Sequence, residues 1–440
     1  MPHLQVQSVS TSKLKDNPNN PRTHPRRQIN KLADAIRQFG FRVPIVVDRD
    51  LNVLAGHGRL AAARQLNLKL VPVTIVSDLS EAQMRAFALA DNKLAEMSGY
   101  DNVKLAVELK ELAPLMADVG LDFSLTGFET PELDRLFGNL SDPEVDPIDD
   151  IPAIAKTPVT HDQDVWLLGQ HRLLCGDARR AESYTTLMAG SHATMVITDP
   201  PYNVRIASVQ GRGRIKHRDF AQASGEMSRA EFTTFLRESL GLAAHHSQDG
   251  AIHHVFMDWR HMAELLHAGE ATYSELKMLV VWAKTNAGMG TFYRSQHELI
   301  FVFKVGTGDH TNNFALGQHG RSRSNVWTYA GANTFRAGRQ KDLEAHPTVK
   351  PVAMIADAIR DCSHRGDIVL DPFLGSGTTI LAAERIGRRA YGIEIDPLYV
   401  DTAIRRWQDY TKKDAILATT AQTFDEVAAD GRRAKRRGRA

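Results

Sequence analysis

Apolar residues recur at helical spacing in the first part of the chain. Between Gln28 and Phe39, the apolar residues Ile29, Leu32 and Ile36 fall on one face of a helix. The same reasoning predicts helices at Arg59–Leu66, Glu81–Leu94 and Asn102–Leu112, short strands at Pro44–Asp48 and Val71–Val76, and a turn at Leu54–Gly58. The sequence therefore predicts a small α/β domain here.

In the second part, short apolar runs alternate with amphipathic stretches. The apolar runs predict a hairpin at Val165–Leu168 and Arg172–Cys175 and strands at Ala193–Thr198, Ala251–Phe256, Lys277–Ala283, Glu298–Lys304, Asp367–Leu370 and Arg389–Ile393. The amphipathic stretches predict helices at Glu231–His245, Pro351–Cys362, Thr378–Ile386 and Leu398–Tyr410. This alternation is typical of a Rossmann-like, doubly wound and mostly parallel α/β sheet, whose ligands bind beyond the carboxyl ends of the strands.

Residues 141–163 interrupt the alternation, because they are rich in Pro and Asp and have no amphipathic period. We therefore predict four regions: an N-terminal domain over 1–125, a linker over 126–160, a larger domain over 161–412 and a basic tail over 413–440. The last ten residues contain six basic side chains and no acid. Such a tail is either disordered and solvated or attracted to phosphates.

The 54 Lys and Arg residues nearly balance the 52 Asp and Glu residues, so the net charge of +2 does not by itself indicate nucleic-acid binding. Cys175 and Cys362 allow at most one disulfide, which excludes a disulfide-stapled secreted scaffold, and we expect both in the core. The histidines lack metal-ligand spacing, so no metal is expected. The chain start has no signal pattern and the longest apolar run, Met278–Ala283, is too short to span a membrane, which favours the cytoplasm.

A glycine-containing turn follows the predicted strand at 367–370. Its candidate ligand-binding residues are Asp371, Phe373, Gly375, Ser376, Gly377 and Thr378. Gly375 and Gly377 let the backbone turn tightly and approach a ligand closely. Glu394 ends the next strand, where it is placed to accept hydrogen bonds from two ribose hydroxyls, a role open to Asp396 as well. Without a third glycine or a P-loop lysine, the turn favours a nucleoside-type cofactor over a pyrophosphate or triphosphate.

The tetrapeptide Asp199-Pro-Pro-Tyr202 follows another predicted strand. Pro200 and Pro201 pin the backbone, so an acid, a carbonyl and an aromatic ring are held in fixed relation. This arrangement suits a planar substrate with an exocyclic amine. The substrate ring would stack on Tyr202, and its amine would donate to the Asp199 carboxylate and the Pro200 carbonyl.

In this order, the two motifs resemble those of the β-group amino-DNA methyltransferases, the N-4/N-6 methylase family. These enzymes transfer methyl from S-adenosylmethionine to the exocyclic amine of adenine or cytosine. The segments 166–177 and 346–351 resemble two further motifs of that family, and the resemblance covers about 161–412. It implies S-adenosylmethionine as cofactor and double-stranded DNA as substrate, with target recognition between about 305 and 345.

The resemblance also implies roles for individual residues. Direct methyl transfer to a flipped base would involve Asp199, Pro200, Pro201 and Tyr202. The cofactor would be bound by Asp177, Thr348, Lys350, Asp371, Phe373, Gly375, Ser376, Gly377, Thr378, Glu394 and Asp396. The basic segment 210–218 is either a loop that orders on DNA phosphates or a solvated loop.

Aspartate at position 199 resembles the adenine-specific branch of the family, so N6 of adenine is the predicted acceptor. The alternatives are N4 of cytosine, a non-DNA amine, and a DNA-binding regulator whose methylase domain is inactive. An NAD-dependent enzyme is disfavoured by the missing third glycine. Relatives of this group are often dimers, which suggests a homodimer.

Residues from about 4 to 110 resemble the ParB N-terminal domain, notably at 17–22, 44–47 and 55–64. The turn Gly56-His57-Gly58-Arg59 stands where partition proteins carry a nucleotide-binding box. Such a turn fits phosphate or nucleotide binding, DNA contact or a purely architectural role. No helix-turn-helix recognition helix stands out after it. The fusion suggests a modification enzyme of the restriction–modification kind, solitary or with a separate restriction partner.

Overall fold

The computed structural model describes residues 5–119, 121, 123–138, 147–149, 152, 154–155, 157–204, 222–285, 292–314, 323–329 and 350–437. The chain forms two compact units, Met1–Ser141 and Asp142–Ala440. Each unit contains its own β-sheet. Across the described residues, no helix combines the length and the apolar character needed to cross a membrane.

The first unit begins with a small mixed sheet and three helices. Its strands are β1 Val6–Ser10, β2 Ile45–Val47, β3 Val53–Ala55 and β4 Leu70–Ile75, and its first helices are α1 Arg26–Phe39, α2 His57–Gln65 and α3 Glu81–Met97. The strand order is β1-β4-β2-β3, with β2 and β4 parallel. Leu60 of α2 and Val73 of β4 are fully buried in its core. The predicted turn at Leu54–Gly58 is divided between the end of β3 and the start of α2.

Two further helices complete the described part of the first unit, α4 Asn102–Asp118 and α5 Thr130–Gly138. Leu109 of α4 and Leu133 and Leu136 of α5 form a small core of their own. Helix α5 lies inside the segment that the sequence predicts as a linker, 126–160. Two buried leucines make too short a period for the helix to be distinguished from a loop in the sequence.

The second unit is built on a ten-stranded sheet. Its strands are β5 Val165–Leu168, β6 His171–Cys175, β7 Ala193–Thr198, β8 Ser247–Met257, β9 Glu275–Lys284, β10 His297–Lys304, β11 Val326–Tyr329, β12 Ile368–Asp371, β13 Arg389–Glu394 and β14 Ile416–Leu417. They follow the order β11-β9-β10-β8-β7-β12-β13-β6-β5-β14. The central strands from β8 to β6 are parallel, whereas the pairs β8–β10, β10–β9, β6–β5 and β5–β14 are antiparallel. The α/β class is confirmed, and antiparallel pairs extend the parallel centre on both sides.

The described helices of this unit are α6 Ala181–Met188, α7 Arg229–His245, α8 Met262–Thr272, α9 Val352–Cys362, α10 Thr378–Ile386, α11 Pro397–Thr411 and α12 Phe424–Arg437. Their starts follow from local sequence: Ser228 and Glu231 form a capping box on α7, and Asp396 caps α11, which has Pro397 in its first turn. The largest core cluster contains Trp166 and Trp407, both fully buried, and Cys175 and Cys362 are buried in it as predicted.

The end of the chain differs from the predicted tail over 413–440. Strand β14 pairs with β5, and the fully buried ring of Phe424 lies 5.3 Å from that of Trp166. Helix α12 then runs through most of the last basic residues. The disordered alternative for the last ten residues therefore does not hold as far as Arg437. The basic charges of the segment gave no sign of the burial of Leu417 and Phe424, which stabilises its first part.

Candidate active site at the carboxyl ends of the central strands

Four neighbouring parallel strands end at one edge of the larger sheet, in the order β7, β12, β13 and β6. Asp199 follows β7, Asp371 ends β12, Glu394 ends β13 and Asp177 follows β6. The sequence predicted these four acids separately, from three motifs. The structure places them along a single edge, which is the ligand-binding edge of a parallel sheet.

The glycine turn after β12 is held from inside by Asp371. One carboxylate oxygen accepts from the Thr198 hydroxyl at 2.8 Å and from the Phe373 N–H at 3.1 Å, and the other accepts from the Thr379 hydroxyl at 2.6 Å. Burial raises the pKa of Asp371 to about 6, although these hydrogen bonds oppose the rise. Asp371 thereby ties the end of β7 to the turn.

Gly377 occupies a position that only glycine fits. Its φ of +87° is left-handed, and an added Cβ would lie 2.7 Å from the Cβ of Ala403 on α11. Ser376 is held against α11, because Arg406 Nη1 of that helix donates to the Ser376 carbonyl at 2.8 Å and to its hydroxyl at 3.1 Å. Thr378 is buried beside the same guanidinium, 3.5 Å from it. Ser376 and Thr378 therefore shape the turn.

Glu394 supports the turn and keeps acceptor capacity for a ligand. Its two oxygens accept from the backbone N–H groups of Gly375 and Asp396, both at 2.8 Å. A carboxylate offers about four acceptor positions, so roughly two remain for hydroxyl donors. Burial raises the pKa of Glu394 to about 7, against the effect of the two N–H donors. The Asp396 carboxylate itself accepts from the Leu398 N–H at 3.0 Å, as a helix cap.

Asp177 and Phe373 border the same region. Asp177 accepts from Arg179 Nη2 at 2.9 Å and from Gln222 Nε2 at 3.1 Å. Burial would raise the pKa of Asp177, but these hydrogen bonds outweigh it and lower the pKa below its ordinary value. The Phe373 ring lies 5.8 Å from the Phe235 ring, centroid to centroid.

The tetrapeptide after β7 forms the second half of the site. Asp199 accepts from the Tyr202 hydroxyl through Oδ1 and from the Lys350 ammonium through Oδ2, both at 2.5 Å. Pro200 is buried, while Pro201 and Tyr202 are half-buried. Burial raises the pKa of Asp199, Lys350 opposes the rise, and the nearby charge of Glu298 adds to it.

The sequence predicted Lys350 at the cofactor and did not predict Glu298 or Lys284. Lys350 Nζ lies 2.5 Å from Asp199 and 3.1 Å from Glu298 Oε2, and Lys284 Nζ lies 2.6 Å from Glu298 Oε1. Glu298 is the second residue of β10 and reaches this edge because β10 runs antiparallel to β8, whereas Lys284 ends β9, which runs in the same direction as the central strands. The charged residue at the start of an apolar strand was the only signal for Glu298.

Several predicted elements lie outside the described residues. These are Thr348, the basic segment 210–218 and most of the target-recognition region predicted at 305–345. The cofactor-binding roles, the homodimer and the domain boundaries remain predictions.

In the first unit, the predicted phosphate-binding turn opens α2. Gly56 has a φ of +102°, and the Arg59 guanidinium lies over it, 3.0 Å from the position of an added Cβ. His57 Nε2 and Arg59 Nε are buried and have no hydrogen-bond partner among the residues that the structure describes. Gly58 packs closely against His24.

Comparisons with known proteins match three stretches of the chain, and the middle stretch crosses the boundary between the two units at Ser141. Residues 193–405 match the DNA methylase family, residues 103–162 the ParB-methyltransferase HTH domain and residues 2–93 the ParB N-terminal domain. The type II methyltransferase M.HpaI of Haemophilus parainfluenzae is 25% identical over 251 residues, 53% of this chain and 73% of that protein. The type II methyltransferase M.HinfI of Haemophilus influenzae is 33% identical over 139 residues, 30% of this chain and 38% of that protein. The crystal structure of M1.HpyAVI aligns with 53% of this chain and 96% of its own, at 20% identity and a TM-score of 0.38.

The larger unit is thus a DNA methyltransferase that depends on S-adenosylmethionine. The chain joins a DNA methylase domain of the N6/N4 family to a ParB N-terminal domain and a ParB-methyltransferase helix-turn-helix domain, and it is homologous to type II methyltransferases. Both predicted resemblances and the predicted cofactor are confirmed. The expectation that no helix-turn-helix stands out is wrong, because that match includes the short helix α5.

Proposed function

We propose that the chain methylates the N6 amine of adenine in double-stranded DNA, at a specific sequence and by direct transfer. The observation that carries the proposal is the Asp199 carboxylate, which lies with Tyr202 at the end of β7 beside the glycine turn after β12. Aspartate at this position supports adenine over N4 of cytosine. Type II relatives support a modification role within restriction and modification, and we propose that the protein acts in the cytoplasm.

The chain's own residues would activate the amine. The lone pair of an adenine amine is delocalised into the ring, which makes the nitrogen a poor nucleophile. Hydrogen bonds from the amine to the Asp199 carboxylate and the Pro200 carbonyl favour a tetrahedral nitrogen with a localised lone pair, while Tyr202 stacks on the flipped base. The ionised form of Asp199 is the better acceptor. Activity therefore falls as the pH drops through the pKa of Asp199, which burial raises.

The cofactor pocket would be formed by the acids and the turn of the neighbouring strands. S-adenosylmethionine, when bound, supplies an electrophilic methyl group. The unused acceptor positions of Glu394 suit the ribose hydroxyls, and Asp177 suits the adenine end. These residues fit S-adenosylmethionine, because the buried carboxylates at this edge retain positions that accept hydrogen bonds. The glycine turn also allows the cofactor to approach the backbone closely.

The test is to incubate the full chain with unmethylated DNA and labelled S-adenosylmethionine, digest the DNA and identify the methylated nucleoside by mass spectrometry. We expect N6-methyladenine, and a loss of about 100-fold or more for Asp199→Ala with cofactor affinity retained. N4-methylcytosine would overturn the choice of base and keep the mechanism. No methylated base, despite cofactor binding, would favour the regulator or a non-DNA substrate.

We propose a second function for the first unit, the binding of a phosphate-bearing nucleotide at the turn from Gly56 to Arg59. The specific observation is a pair of buried nitrogens at the start of α2, His57 Nε2 and Arg59 Nε, that find no hydrogen-bond partner within the described part of the chain. Backbone N–H groups at a helix start and a nearby guanidinium are suited to phosphate oxygens. Calorimetric titration of the full chain with a nucleoside triphosphate tests this, and absence of binding at millimolar ligand overturns it.

A further inference from the structure

The Lys350 ammonium lies where the proposed target amine should donate. Its Nζ atom is 2.5 Å from Asp199 Oδ2, and Asp199 Oδ1 already accepts from the Tyr202 hydroxyl. The lysine side chain is only 6% exposed, so it is a built part of the site. An ammonium and an exocyclic amine are both N–H donors, and Lys350 occupies one of the acceptor positions on Asp199 that the amine could use.

Glu298 is the second anionic partner of this ammonium. Its Oε2 atom lies 3.1 Å from Lys350 Nζ and accepts from the Tyr202 hydroxyl at 3.2 Å. Its Oε1 atom accepts from Lys284 Nζ at 2.6 Å. Glu298 therefore contacts both groups that donate to Asp199, Tyr202 and Lys350. Glu298 is itself held by Lys284.

The aromatic surroundings favour a charged lysine in either position. Lys350 Nζ lies 5.1 Å from the ring centroid of Phe256, 5.6 Å from that of Tyr202 and 6.0 Å from that of Trp282. The four ionised groups, Asp199, Glu298, Lys350 and Lys284, sum to zero charge. Burial disfavours the charged form of Glu298, but the two lysines outweigh it and hold the pKa of Glu298 at about 2.

We propose that Glu298 is a positioning residue that retains the Lys350 ammonium when the target amine takes its place on Asp199. The inference rests on the proposed function, because it assumes that Asp199 accepts from the substrate amine. The lysine would give up the bond to Asp199 Oδ2 and keep the bond to Glu298 Oε2. Its charge would then stay paired, and the Asp199 carboxylate would become available without leaving a buried ammonium alone.

A variant without the Glu298 charge distinguishes retention of the Lys350 ammonium from a purely structural role of Glu298. In Glu298→Gln, Asp199 becomes the sole anion beside Lys350 in this cluster, so the lysine stays on Asp199 and blocks the amine. We expect kcat with DNA to fall by about 30-fold, with S-adenosylmethionine affinity within about twofold of wild type. Glu298→Asp, which keeps the charge, should retain at least about a third of kcat.

The double variant Glu298→Gln/Lys350→Met provides the decisive measurement. It removes the competing donor and restores zero net charge among the remaining groups, so we expect at least about tenfold higher kcat than in Glu298→Gln alone. Glu275→Gln is the matched control, because Glu275 forms a surface ion pair with Lys277 at the opposite end of β9. It should leave every rate unchanged.

Three outcomes would overturn the proposal: wild-type kcat in Glu298→Gln, no recovery in the double variant, or loss of cofactor binding in Glu298→Gln, which would assign Glu298 to folding. Failure of the proposed function is distinguishable, because the wild-type chain would then transfer no methyl group to DNA.

Discussion

The two units each contain a helix that starts at a left-handed glycine, and the two turns differ in what surrounds them. Gly56 (φ +102°, ψ 23°) precedes α2 and Gly377 (φ +87°, ψ 21°) precedes α10, both without a side-chain cap. Each lies after a strand of its own sheet. The backbone conformation of the two turns is therefore nearly the same.

The charges around the turns are opposite. The Gly377 turn is bordered by Asp371 and Glu394, buried carboxylates whose pKa values burial raises to about 6 and about 7. The Gly56 turn is bordered by His57 and Arg59, whose pKa values burial lowers. Acids that are hard to ionise gain from hydroxyl donors, whereas a desolvated guanidinium such as that of Arg59 gains from an anion. The glycines set the shape of a turn, and the neighbouring charges select its ligand.

Substitution of the two glycines by alanine should produce the largest difference between the turns, measured as loss of stability. Gly377→Ala forces a left-handed alanine and a 2.7 Å contact with Ala403, and we expect about 3 kcal/mol of destabilisation with loss of cofactor binding. Gly56→Ala meets only the end of the flexible Arg59 side chain, at 3.0 Å, and should cost about 1 kcal/mol. Calorimetric unfolding of the full chain measures both.

Gly387→Ala is the control for backbone strain on the same helix. Its φ is +70°, and an added Cβ would meet Arg365 Nη1, which can move. A cost near that of Gly56→Ala is expected. Equal costs for Gly377→Ala and Gly387→Ala would contradict the importance of the contact with α11.

The two halves of the active site differ in how far the sequence predicted them. The acids at Asp199, Asp371 and Glu394 follow strands of a parallel sheet, where one rule places them at a common edge. Lys284 also lies at the carboxyl end of a strand, but Glu298 lies at the start of the antiparallel strand β10, and the contact between the two side chains depends on strand order and register, which no local pattern records. The same limit applies to the two-residue strand β14, which is too short to show a period and is stabilised by tertiary contacts.

The buried acids around the Gly377 turn should make the affinity for S-adenosylmethionine depend on pH. Glu394 is mostly protonated at pH 6 and must lose its proton before the carboxylate accepts both ribose hydroxyls. Because its pKa is about 7 in the free protein, S-adenosylmethionine affinity should rise about tenfold from pH 6 to pH 8 and then level off. Calorimetric titration at each pH measures this, and proton release on binding should accompany it below pH 7.

Glu394→Gln tests the assignment of that pH dependence. The variant cannot ionise, so its affinity should be about tenfold weaker at pH 8 and flat between pH 6 and pH 8. If the affinity of this variant still changes with pH, another carboxyl group is responsible for the pH dependence. Asp371, whose pKa is about 6, is then the first candidate.

The smallest expected effect concerns the turn from Gly56 to Arg59. Arg59→Ala should weaken binding of a nucleoside triphosphate by about fivefold at fixed salt, because it removes one charge-assisted contact while the backbone donors of α2 remain. Arg37→Ala is the matched control, since Arg37 is exposed on α1 and pairs with Asp34 at 2.6 Å. Equal weakening in both variants would show attraction to net charge alone. A selective loss in Arg59→Ala, with inorganic triphosphate bound as tightly as the nucleotide, would assign the turn to phosphate and leave the nucleoside unrecognised.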